Sequence, residues 1–124
     1  MQYMLLVHHD ENVFTKMDET IQQQLLDESI QLTHQLNASG QYVSASPLHP
    51  AATASVVRVR GGRETVTDGP FAETKEQLAG YFLINARDLN EAVRIATRIP
   101  GARIGTVEVR AVKEVAGLPT LAGC

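Results

Sequence analysis

Two stretches of the chain are apolar on both of their alternating faces. In 3–7, Tyr3, Leu5 and Val7 fall on one side of an extended backbone and Met4 and Leu6 on the other; Tyr81 to Ala86 repeats the pattern. A strand covered on both sides has this signature, so both stretches are expected at the middle of a sheet. From Ile104 to Val112 the alternation is one-sided. Val107, Val109 and Ala111 are expected to point inward, and Thr106, Glu108 and Arg110 outward. A 3.6-residue period predicts a helix from Asp18 to Ala38, closed by Ser39-Gly40. Its apolar positions make two stripes. Ile21, Leu25, Leu32 and Leu36 form the main one; Leu26 and Ile30 form a second, rotated away, which needs cover from a loop or a partner subunit. A second helix is predicted from the capping-box-like Asp88-Leu89-Asn90-Glu91, with Leu89, Ala92, Val93, Ala96 and Ile99 on one face and a stop at Pro100-Gly101.

Tyr42 to Ala45 reads as a short strand ended by Pro47. Thr53 to Arg60 and Arg63 to Asp68 flank Gly61-Gly62, a pair suited to a tight turn in which both central residues need positive φ. That turn sets the register: Arg60 opposite Arg63, Val57 opposite Val66, Ser55 opposite Asp68. One hairpin face then carries Val57, Val59 and Val66 with Asp68 at its far end. The other carries Arg58, Arg60 and Thr65. The element order β-α-β, hairpin, β-α-β predicts an α+β, ferredoxin-like domain over 1–112, with an antiparallel sheet and the first and third core strands central. Residues 113–124, with Gly117, Pro119 and Gly123, are expected to be a loosely ordered tail. Such a sheet leaves one face bare, which the hairpin or a second subunit would cover; a two-fold homodimer is the expected solution.

Composition narrows the function classes. With 124 residues, 44% of them hydrophobic, and a net charge of -3, the chain can bury a core and lacks the basic footprint of a nucleic-acid binder. No run approaches a membrane span, and the N-terminus lacks a signal-peptide pattern. The lone Cys124 cannot form an internal disulfide, which favours a reducing, cytoplasmic location. There is no glycine-rich phosphate loop and no cysteine pair, so no cofactor is expected. A metal is not expected either: in His8-His9-Asp10, adjacent strand residues point to opposite faces, and a site would need His8 or His9 to meet His49 or Asp68 through the fold.

The chemistry-bearing segment is Thr67-Asp68-Gly69-Pro70-Phe71-Ala72-Glu73-Thr74-Lys75-Glu76. Two readings of Asp68 stand. On the apolar side of the hairpin, desolvation would suit it to proton transfer; as the first residue of an Asp-Gly-Pro turn, it would cap nearby N–H groups. Lys75 would bind an anionic substrate with Glu73 as acid/base partner, or Glu73, Lys75 and Glu76 would form a solvated ion-pair set that fixes the loop or the dimer contact. His49, whose loop leads into the strand paired with Asp68, and His8 are the candidate bases. Phe71 and Tyr81 are candidates for lining an aromatic subsite, with core packing the alternative, more so for Phe71. Together Asp68, Glu73, Lys75 and His49 would bound a shallow pocket between sheet and hairpin.

Thr67 to Leu78 followed by Gly80-Tyr81 resembles the signature of the YCII-related family, in its DGPF-domain branch. Leu48 to Ala54, Ala86 to Ala92 and Gly105 to Arg110 resemble the flanking segments of that branch, so the likeness runs from Met1 to about Val112. The resemblance implies a ferredoxin-like dimer with a pocket near its interface, of dimeric α/β-barrel type. For activity it implies cofactor-free proton transfer, isomerisation or elimination on a small organic acid. The alternative is a non-catalytic regulatory or interaction module working with an extracytoplasmic-function sigma factor, since many members of the branch are encoded beside such factors. The wider family, which resembles muconolactone isomerases and includes a dehydrochlorinase of chlorinated hydroxyquinols, pairs a His on the first helix with an Asp near the second. This chain has no His in Gln22 to Leu26 and no Asp in Arg98 to Pro100, so that pair has no counterpart here.

Overall fold

In the computed structural model, which describes residues 1–119, the fold is α+β, built on an antiparallel four-stranded sheet. Its strands are β1 (Gln2–His9), β2 (Tyr42–Pro47), β5 (Gln77–Asn85) and β6 (Gly105–Ala111), in the order β2-β5-β1-β6. The two stretches that are apolar on both faces therefore sit at the centre. Four helices cross between them: α1 (Glu11–Thr15), α2 (Glu19–Ala38), α3 (Leu89–Thr97) and α4 (Gly101–Ile104). The remaining strands, β3 (Ser55–Arg60) and β4 (Arg63–Asp68), make a hairpin with a sheet of its own.

The core lies on one side of the large sheet. Tyr3, Leu5 and Val7 of β1 and Phe82 and Ile84 of β5 meet Leu32 and Leu36 of α2 and Ala92, Ile95 and Ala96 of α3. Burying side chains of this size is worth about 1.5–3 kcal/mol each, and it is what holds the helices down. On the opposite side, Met4, Leu6, Tyr81 and Leu83 are only half-buried, because no helix among the described residues covers that face.

Helix α3 packs through Ala92, Ile95, Ala96 and Ile99, a single i, i+3, i+4, i+7 stripe. Leu89 and Val93, expected inward, are 54% and 44% exposed, because the stripe that includes Ile95 faces the sheet instead. Asp88 caps the helix, its carboxylate accepting from the Glu91 N–H at 2.9 Å. Strand β5 begins at Gln77 rather than Tyr81. A register shift opposite Val7 and His8 leaves Ala79 without a partner residue on β1, which breaks the period-2 pattern and hides the first residues of the strand from it. Ile21 and Ala111 are also exposed, Ile21 because only the C-terminal half of α2 lies on the sheet. The five-residue α1 is too short to show a period; Asp10 starts it, accepting from Asn12 N–H at 2.9 Å.

The hairpin has the anticipated register, Ser55 with Asp68, Val57 with Val66 and Arg60 with Arg63, around Gly61 and Gly62 at φ 57° and 76°. Its apolar face is uncovered: Val57 and Val66 are each 64% exposed. No helix among the described residues is long and apolar enough to cross a membrane. Cys124 and the end of the expected tail lie outside the described residues.

Candidate functional site

The candidate site follows from how α2 leaves the sheet. Leu32 and Leu36 anchor its C-terminal half in the core, while none of its residues before Leu32 is fully buried. The divergence opens a cavity of about 330 Å³ between α2 and strands β2 and β5. Leu25, Leu26 and Ile30 form one wall, Ala45, Pro47 and Phe82 another, and Pro100 and Ile104 close an end. The second apolar stripe of α2, Leu26 and Ile30, thus faces this space. Glycine makes part of the wall possible. A Cβ on Gly101 would stand 2.5 Å from Val7 Cγ1, and one on Gly80 2.7 Å from the Ser46 carbonyl oxygen, so both backbones approach closer than a side chain allows.

His9 stands at the mouth of this cavity. It continues the alternation Tyr3, Leu5, Val7 onto the helix-covered side at the end of β1. Its ring stacks on Phe14 with centroids 4.6 Å apart and planes 14° from parallel. The Asp10 cap and the turn of α1 place Phe14 there: Phe14 N–H donates to the Asp10 carbonyl at 2.9 Å. Burial lowers the His9 pKa from its ordinary value, against the opposing pull of Glu11, Glu76 and Asp10. Desolvation of the charged imidazolium outweighs three nearby carboxylates, so the ring is held neutral at neutral pH and able to accept a proton.

The polar groups around it are partly engaged within the chain. Gln22 Nε2 donates to the carbonyls of Phe14 and Met17, each at 3.0 Å, and Ser29 Oγ donates to the Leu25 carbonyl at 2.9 Å. Tyr81 contributes to the lining, yet its hydroxyl pairs with Ser44 Oγ at 3.0 Å, a residue register puts on the opposite face of the sheet.

The residues singled out from the sequence are not gathered here. Asp68 is exposed at the base of the hairpin, whose apolar side is itself open to solvent. The turn role is visible at the next residue, where Gly69 N–H donates to the Ala54 carbonyl at 2.7 Å. His49 is exposed and lines neither cavity. His8 points to the other side of the sheet from His9, its Nε2 3.7 Å from Glu108 Oε1. Phe71 is 80% exposed, so neither the core nor a subsite holds it. Lys75 is exposed, and among the described residues neither it nor Glu73 forms an ion pair. Glu76 accepts instead from Thr106 Oγ1 at 2.7 Å. None of Asp68, Glu73, Lys75 and His49 lines the cavity under α2.

Of those residues, Glu73 alone borders the second cavity, of about 310 Å³, beside Glu11, Asn12, Pro70 and Thr74. Its frame is a chain of hydrogen bonds. Glu11 N–H donates to Gln77 Oε1 at 2.9 Å, and Ala51 N–H donates to Glu11 Oε2 at 2.8 Å. Gln77 Nε2 donates in turn to the Thr74 carbonyl. The charged loop after Asp68 is thereby fastened to the start of α1 at Glu11, two residues beyond His9. Among the described residues no group of three His, Cys, Asp or Glu side chains is arranged to hold a metal ion.

The family model of the YCII-related domain matches residues 1–116, and this chain belongs to that family. An uncharacterised protein of Rhizobium meliloti (strain 1021) is 32% identical over 112 residues, covering 89% of this chain and 90% of that protein.

Proposed function

We propose that this YCII-related protein binds a small organic molecule in the cavity under α2 and uses neutral His9 to take up a proton from it, without a cofactor. One observation carries the reading. An apolar, ligand-sized hollow is lined by one imidazole, His9, stacked on Phe14, and burial lowers its pKa. A volume of about 330 Å³ sits at the small end of the range for ligand sites, roughly 300–1,000 Å³. Proton abstraction, as in an isomerisation or elimination, needs such a base within reach of the substrate and screened from water. The test is hydrogen–deuterium exchange at carbon in a panel of enolisable ring compounds, followed by NMR in D2O. Exchange that depends on the protein and disappears in His9→Asn supports the reading. Exchange absent, or equal in the variant, defeats the proton-transfer step.

We further propose a homodimer of ferredoxin-like subunits. The face of the sheet bearing Met4, Leu6 and Leu83 has no helix over it, and Val57, Val59 and Val66 lie open on the hairpin. Light scattering after size exclusion distinguishes monomer from dimer. The exposed valines also favour a second reading, a module that docks on another protein such as an extracytoplasmic-function sigma factor. Retention of such a factor by the wild type but not by Val57→Ser would favour it over catalysis.

A further inference from the structure

The cavity is unusual in what it lacks. It is walled by apolar side chains from α2, β2, β5 and α4, and not one Asp, Glu, Lys or Arg lines it. We infer that its ligand enters uncharged, as a single compact ring system carrying a hydrogen-bond donor that reaches the His9 imidazole. The inference rests on the reading of this cavity as a ligand site and deepens it.

Three features support it. First, an ion leaving water needs a partner of opposite charge or a full set of hydrogen bonds, and the lining offers neither. The Ser29 hydroxyl and the Gln22 amide hydrogens already serve helix carbonyls, and Thr33 Oγ1 donates to the Ile30 carbonyl. What remains is the His9 ring, engaged by stacking on Phe14, with the hydroxyls of Tyr42 and Ser46 and the side-chain oxygen of Gln22, all of them uncharged. Second, the charges that bear on His9 are of one sign: Asp10, Glu11 and Glu76 each oppose the effect of burial on its pKa, so a carboxylate seated against this ring meets their repulsion. That disfavours the small organic acid that the family resemblance implied. Third, a neutral imidazole presents one nitrogen as an acceptor, which pairs with an N–H or O–H group on the ligand. A flat apolar ring fits between Leu25, Ile30 and Phe82, whose contact favours ring burial in proportion to area.

A matched set of probes tests this: indole, 1-methylindole, indole-3-carboxylate and tryptamine. Each is titrated at neutral pH into the 15N-labelled full chain, with the amides of Leu25, Ile30 and Gly101 as reporters of the cavity. Indole is expected to shift these amides with an affinity at least tenfold above the carboxylate and the amine. Removing its donor, in 1-methylindole, is expected to weaken binding several-fold. Equal or tighter binding of either charged analogue at the same amides overturns the uncharged-ligand inference while leaving the cavity a ligand site. Equal binding of 1-methylindole overturns the donor to His9. If none of the four moves those amides, the cavity is not a ligand site, and the underlying reading falls with the inference.

Discussion

Substituting Gly105 tests the fold and the site at once. Gly105 opens β6 and pairs with His9 of β1. A Cβ placed on it would lie 2.0 Å from the His8 carbonyl oxygen and 3.0 Å from His8 C and His9 Cα. Carbon and oxygen without a bond between them do not approach closer than about 3 Å, so Gly105→Ala requires a shift of about 1 Å. The obstacle is backbone, and no rotamer change relieves it. The end of β1 has to move, weakening its pairing with β6 and tilting His9 out of the cavity mouth. Overpacking of this kind costs typically about 1–3 kcal/mol, and we expect the upper end, ~3 kcal/mol. At about 4 °C per kcal/mol for a domain of this size, Tm should fall by roughly 12 °C. The control is Gly40→Ala. Gly40 has φ +75° and nothing within 4 Å of an added Cβ, so its cost is conformational alone, about 1–2 kcal/mol. Asparagine, which tolerates that conformation, should recover part of the loss at 40 and none at 105. Denaturant melts of the four variants decide the matter. If Gly105→Ala melts within ~1 kcal/mol of the wild type, the close approach of β6 to β1 described above is wrong.

Leu36 is fully buried between α2 and the sheet, so Leu36→Ala should cost about 2–5 kcal/mol in a urea melt, the larger values following if the space cannot collapse. Stability should also fall on acidification through His9. Its folded pKa is below the ordinary value, so in that interval the unfolded chain binds more protons. The penalty is absent well above pH 6.5, grows as pH drops from there to the lowered folded value, and is constant below it. The difference in stability between wild type and His9→Asn, followed from pH 8 to 4, should show that curve; a pH-independent difference would contradict it. Val66→Thr, at a site 64% exposed, should leave the monomer's stability within about 0.5 kcal/mol while reducing any self-association measured by sedimentation. Arg103→Ala, which removes the exposed pair with Glu28, should cost less than about 1 kcal/mol and less still at high salt.

Much of the architecture was legible because local rules and global burial agreed. The two strands apolar on both faces are the central ones, and Gly61-Gly62 places Val57 opposite Val66. The failures have particular causes. The bulge at Ala79 moved the start of β5 out of phase, and the stripe through Ile95 displaced Leu89 and Val93 to the surface. Most of the residues singled out from the sequence lie apart from the cavity under α2 for a different reason. Asp68, Glu73, Lys75 and Phe71 are conspicuous in sequence, but the hairpin that carries Asp68 stands apart from the large sheet and Phe71 is left open. His9 carried a usable signal, the same parity as Tyr3, Leu5 and Val7, which puts it on the covered side while sending His8 to the other.

What the amino-acid order determined, then, is everything set by neighbours a few positions apart: strand faces, helix stripes, the caps at Asp10 and Asp88, and the hairpin register. Tertiary structure alone decided which apolar surfaces became cavity, core or open face. That depends on where α2 separates from the sheet before Leu32, on how closely Gly80 and Gly105 let distant backbones approach, and on the room Gly101 leaves for Val7. Those separations are set by the simultaneous packing of elements far apart in the chain. No period in the sequence encodes them, so the place of His9 against a ligand-sized hollow emerged only when the layers were assembled.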